Sequence, residues 1–147
     1  MSSLLIALLA IGVCFAAMTS LFLWYWMRPD ALRKHVAGQF RFDRAFLGAS
    51  PRIFVQTYIL KPVSTALLSA FGFVAFTVTY GYEVSPLGLS PNIEIVLTVV
   101  AFALLALVGP IFFIGRVFAR WMPYRLQLPG ARDLDDRELE RWLTRTR

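Results

Sequence analysis

Few side chains in this chain could do acid–base or ligand chemistry, and they are scattered. The single histidine, His35, stands in a basic stretch between Lys34 and Val36. One imidazole can carry a proton near neutral pH, but a metal site needs several ligands, and these neighbours supply none. The single cysteine, Cys14, falls in the middle of an uncharged apolar run. With no second thiol it forms no internal disulfide, and its surroundings suggest a small packing residue. Paired carboxylates could serve general acid–base catalysis, yet none falls inside an apolar run. Glu94 comes nearest, at the start of the third run, and is expected at an interface. The other late acids crowd the tail at Asp133, Asp135, Asp136, Glu138 and Glu140. The sequence holds no phosphate-cradling glycine loop, nucleophile motif or haem-ligating histidine pair. It therefore points away from an autonomous enzyme or pump and nominates no catalytic, metal-binding or cofactor-binding residue.

The elements that would position any site are three apolar runs, at about 4–27, 63–82 and 93–115. A helix of about 20 residues crosses a hydrocarbon core of roughly 30 Å. Composition agrees: 58% of the 147 residues are apolar and 16% charged, against about 45–50% and about 25% in soluble domains. All fifteen Lys and Arg residues lie in 28–62 or in 116–147. Positive flanks resist translocation, so the pattern predicts an all-α integral membrane protein with three transmembrane helices, N-terminus outside and C-terminus inside. A signal peptide fits less well, because Arg28, Arg33 and Lys34 follow the first run and no basic residue precedes it. The expected organisation is a three-span membrane domain over 1–127, with a basic cytoplasmic loop at 28–62, and a cytoplasmic tail over 128–147. The net charge of +6 could suggest nucleic acid, but stacking aromatics do not alternate with the basic residues. Anionic lipid headgroups on a bacterial cytoplasmic membrane are the simpler partner. Trp24, Tyr25, Trp26, Tyr80, Tyr82, Trp121 and Tyr124 flank the runs, where amphipathic rings favour the headgroup level.

The loop 28–62 carries seven basic and two acidic residues, a net +5. Gln39 to Arg44 alternates polar and apolar, which suggests a short extended stretch. Ser50-Pro51 looks like a helix start, with serine as cap and proline at the first position. Two continuations are open. One is a separate interfacial helix over 51–61, and the other is a single helix over 51–82 bent at Pro62. The connection from Glu83 to Asn92 holds Pro86 and Pro91 and favours antiparallel neighbours. Gly109-Pro110 should bend the third span.

In lipid, helices associate through small residues that let backbones approach. Gly12, Ala16 and Ser20 form such a stripe on the first span and are the candidate packing residues. Thr65, Ser69 and Gly72 offer one on the second, and Ala103, Ala106 and Gly109 one on the third. In the tail, Asp133 with Asp136 resembles a capping box, opening an amphipathic helix with acids first and arginines last, as the helix dipole favours. Its apolar stripe, Leu139, Trp142 and Leu143, needs a cover: lipid headgroups, the 28–62 segment or another protein. These three residues are the candidate partner-docking element.

Two family resemblances bear on function. Leu128-Pro129-Gly130-Ala131 followed by Asp133-Leu134 resembles the start of the cytoplasmic helical domain in type II secretion F proteins, which would imply a platform component of a secretion or pilus machine. The match runs only from Leu128 to Leu134 and carries over no residue role. The three-span, N-out and C-in layout with a charged tail is similar to one class of phage holins, small pore formers, although the basic segment 28–62 departs from their compact pattern. Without those resemblances, the residues favour a non-catalytic accessory or scaffold subunit of a larger inner-membrane complex, partnered by other membrane subunits and requiring no cofactor.

Overall fold

The structure, a computed structural model, describes residues 2–48, 50–83 and 91–145. All regular structure among them is helical: α1 (Ser3–Trp26), α2 (Pro29–Leu47), α3 (Pro51–Thr57), α4 (Leu60–Glu83), α5 (Pro91–Val117) and α6 (Asp136–Thr144), with two 3-10 turns at Ala119–Trp121 and Tyr124–Leu126. Three stretches are long and apolar enough to cross a membrane, Ser3–Trp26, Leu60–Gly81 and Asn92–Gly115. The connection with Pro86 lies outside the described residues. α5 runs unbroken through Pro110.

Two local expectations are corrected, and at a third place the structure selects one of two alternatives. Residues 39–44 are helical, within α2. The alternation there is outweighed by a longer pattern: Leu32, Val36 and Phe40 recur every four residues and are all buried, the spacing of one helix face. Gly48, at φ 59°, ends this helix in the left-handed region and donates its N–H to Asp43 O, as a glycine can without a Cβ penalty. Second, of the two continuations after Ser50-Pro51 the separate helix is the one formed: the chain breaks between Thr57 and Leu60, so α3 ends at Thr57. Pro62 falls in the first turn of α4, where a missing N–H costs no intrahelical bond, and α4 continues through it. Third, the tail helix starts two residues later than expected. Asp135 Oδ1 accepts from Glu138 N at 2.6 Å, and Glu138 Oε2 accepts from Asp135 N at 3.5 Å, completing a capping box. Asp133 is committed elsewhere, because its carboxylate accepts the Tyr124 hydroxyl.

The described contacts divide the chain into two compact units. The first holds Met1–Ser20 and Val63–Phe112, and the second Leu21–Pro62 and Phe113–Arg147. The tail folds with 28–62, because α6 packs on α2 and α3.

In the first unit, α1 and α4 meet at glycines. A Cβ built on Gly72 would lie 2.7 Å from Gly12 Cα, and one on Gly12 would lie 3.1 Å from the Phe73 ring. Ser69 Oγ donates to Gly12 O at 2.9 Å, and the Thr19 and Thr65 hydroxyls share a hydrogen bond at 2.9 Å. Ser64, Thr65 and Ser69 are all buried.

Candidate functional site

The second unit gathers nearly all the polar groups that could respond to their surroundings. Its core draws Phe22 from α1, Leu32, Val36 and Phe40 from α2, Phe54 and Val55 from α3, Tyr58 from the α3–α4 junction, Leu128 and Ala131 from the turns, and Leu139 and Leu143 from α6. Each helix is built for this. α2 buries Leu32, Val36 and Phe40 while Arg33, Lys34 and Arg44 stay exposed. α3 starts at the Ser50 cap, whose side chain accepts from Ile53 N at 3.3 Å. The Leu128 N–H donates to Val55 O at 3.2 Å, tying the turn to α3.

Ion pairs surround this core and differ in worth. Arg44 meets Glu140 at 2.9 Å and Arg52 meets Asp136 at 2.8 Å, with exposed carboxylates. Pairs of that kind contribute about 0–1 kcal/mol. Arg52 Nη2 also donates to Leu134 O at 2.8 Å, a backbone contact that fixes where α6 begins. Lys61 meets Asp43 at 2.9 Å with side chains only 19% and 13% exposed. Its Nζ also donates to Gln39 Oε1 at 2.6 Å and sits 5.2 Å from the Phe54 ring centre. This pair is better shielded from water, so removing one partner would leave the other poorly compensated.

Beside that pair lies an aromatic cluster around His35. The imidazole stacks on Tyr25 at 4.3 Å and 14°, and meets Phe22 edge-on at 5.6 Å. Phe22 also meets Tyr58 edge-on at 6.2 Å, and Trp26 stacks on Tyr58 at 6.0 Å. His35 Nε2 and Tyr58 Oη are buried with no hydrogen-bond partner among the described residues. Burial lowers the proton affinity of His35 below its ordinary value, and the nearby Lys61 charge adds to this. Burial likewise pushes the Tyr58 phenol well above its ordinary range, with Tyr25 and Asp43 reinforcing it. Tyr58 is thus a neutral phenol throughout the physiological range. The cluster can change charge at one place, His35.

The residues singled out by sequence are distributed as follows. Leu139 and Leu143 are fully buried in the chain's own core, and Trp142 packs beside them with Arg33 lying 5.8 Å over its ring. Of the three possible covers for that stripe, the 28–62 segment is the one seen. In this arrangement the two leucines offer no free surface to a partner. Gly12 lies in the α1–α4 contact, Ala16 is half-buried, and Ser20 is exposed with its hydroxyl donating back to Ala16 O at 2.9 Å. Thr19, one residue earlier, makes the hydrogen bond to α4 that the small-residue stripe did not anticipate. The spacing of Thr65 and Ser69 would have pointed to it. Cys14 is exposed and packs against no other helix of this chain's first unit. Ala103, Ala106 and Gly109 are exposed too. α5 turns Thr98, Ala101 and Leu105 instead to a cavity of about 230 Å³ that it forms with Phe71 and Ala75 of α4. Both threonines on that cavity satisfy their hydroxyls within their own helices, Thr79 on Ala75 O and Thr98 on Glu94 O. The stacking of half-buried His35 on Tyr25 is not visible in the sequence, because a basic neighbourhood reads as a solvated loop until α2 is known to be helical.

No protein-family model, no curated protein and no solved structure matches this chain.

Proposed function

We propose that the chain is a non-catalytic, multi-pass subunit of a larger assembly in a bacterial cytoplasmic membrane, with its N-terminus outside and its basic second unit in the cytoplasm. One observation carries the reading most directly. α5 is the least enclosed of the three long helices: 6% of its membrane-length window is buried, against 11% for α1 and 17% for α4. Surface of that kind needs lipid or another subunit around it. The exposed Ala103, Ala106 and Gly109 would let a neighbouring helix approach closely. The second unit supports the same reading in another way. Two segments far apart in sequence fold into a small core of their own, and its exposed arginines suit anionic headgroups or an acidic partner.

The experiment is mild-detergent purification of a tagged full-length copy, followed by mass spectrometry. The reading expects stable co-purifying membrane subunits, lost when Ala106 and Gly109 are both replaced by leucine while membrane insertion persists. A chain that runs alone would overturn it. Growth arrest with sudden depolarisation on expression would turn the reading towards a pore former.

A further inference from the structure

The second unit holds one group poised to change charge inside a packed interface, and that group joins the end of α1 to α2. His35 is held by two α1 residues, Tyr25 stacked at 4.3 Å and Phe22 edge-on at 5.6 Å. Arg28 and the turn at Met27 separate these helices in sequence, so the ring contacts, and not chain connectivity alone, set how α1 ends on α2. We propose that protonation of His35 releases this aromatic clamp, making the α1–α2 junction an acid-triggered joint.

The surroundings of the ring disfavour a charge on it. From α1, Tyr25 presents its ring face. From the α3–α4 junction, Tyr58 presents a neutral phenol, itself without a hydrogen-bond partner among the described residues. From α4, Lys61 presents a cation. On α2, the Asp43 carboxylate and the Gln39 amide oxygen, which could accept a hydrogen bond, are both engaged by Lys61, at 2.9 and 2.6 Å. Arg33 and Lys34, next to His35 on α2, add positive charge. α6 turns its carboxylates Asp136 and Glu140 to Arg52 and Arg44. Neutral imidazole tolerates this setting, since an unprotonated Nε2 leaves only an acceptor unsatisfied. Imidazolium does not: its buried Nε2–H would be a charged donor without an acceptor, the costlier case. The stacked face of Tyr25 would attract the cation, but neither Tyr25 nor Phe22 accepts a hydrogen bond from Nε2 in its observed pose.

The sign follows from linkage. A detached imidazole binds its proton near pH ~6.5, and the packed one only below that, through burial and then Lys61. The clamp is therefore intact above this value. Its stability declines as the pH falls through ~6.5 towards the packed ring's lower value.

Because His35 is the only histidine, its ring protons give an unambiguous NMR signal in the full-length chain in micelles. Titration from pH 8 to 4 should show His35 taking up its proton below the ordinary midpoint, with the Tyr25–His35 cross-relaxation signal lost in the same step. In His35→Gln, Tyr25 should show no pH step in this range. In Lys61→Gln, the His35 midpoint should move up. A wild-type midpoint at or above the ordinary value overturns the proposal, as does survival of the Tyr25–His35 contact after protonation. The wild-type titration decides the matter even where a variant fails to fold.

Discussion

The two units hold helices together by different means. In the first, α1 meets α4 backbone to backbone at Gly12 and Gly72, and hydroxyls cross the gap from Ser69 and Thr19. In the second, large apolar side chains from four helices fill a common core, and charged pairs ring its edge. Lipid and water would impose this contrast. Among lipid tails, burying a leucine yields little, so close approach and hydrogen bonds must supply the attraction. In water, burial itself is the main source of stability. One short chain thus carries two kinds of packing, each suited to a different solvent.

Substitutions can break or sharpen that contrast. The largest effect should come from Leu139→Ala. Its side chain is fully enclosed in the second core, and buried leucine truncations cost about 2–5 kcal/mol. α6 has nine residues, too short to persist alone in water, so it should detach. Hydrogen exchange along Asp136–Thr144 should become as fast as in a free peptide, while α1 and α4 keep their protection. Equal loss in both units would mean that they are one cooperative body.

Gly72→Ala should rank next and act on the other unit. The added methyl would enter the backbone of Gly12, and the helices would have to part. Overpacking of this kind costs about 1–3 kcal/mol. A cysteine pair placed at Ile11 and Gly72 would not report this cleanly, so the readout is the rate of detergent-induced unfolding followed by α1 hydrogen exchange. An unchanged rate would show that the glycine contact is not needed for α1–α4 association.

Arg44→Ala should have the smallest effect. Its partner Glu140 is about half exposed, and exposed pairs are worth about 0–1 kcal/mol. The change in α6 protection should be slight and should vanish at high salt, where such pairs are screened. A loss approaching that of Leu139→Ala would mean that charge, and not apolar burial, holds the second unit.

Much of this architecture is legible in the sequence, for reasons that can be named. Long uncharged runs give long apolar helices because a helix satisfies the backbone groups of such a run within the run itself. Ser50-Pro51 gives a helix start because capping is local chemistry. The Leu139, Trp142 and Leu143 stripe is visible because helical periodicity needs only the sequence. What covers that stripe is not visible, since a helix face is compatible with several partners. The tertiary structure alone places α6 on α2 and α3. It alone selects Thr19 over Ser20, because which of two adjacent residues faces a neighbour depends on how the helix is rotated. It alone turns His35 from a residue of a basic stretch into the centre of an aromatic clamp, because burial and charge at one atom are set by residues 10 to 26 positions away that the fold brings together.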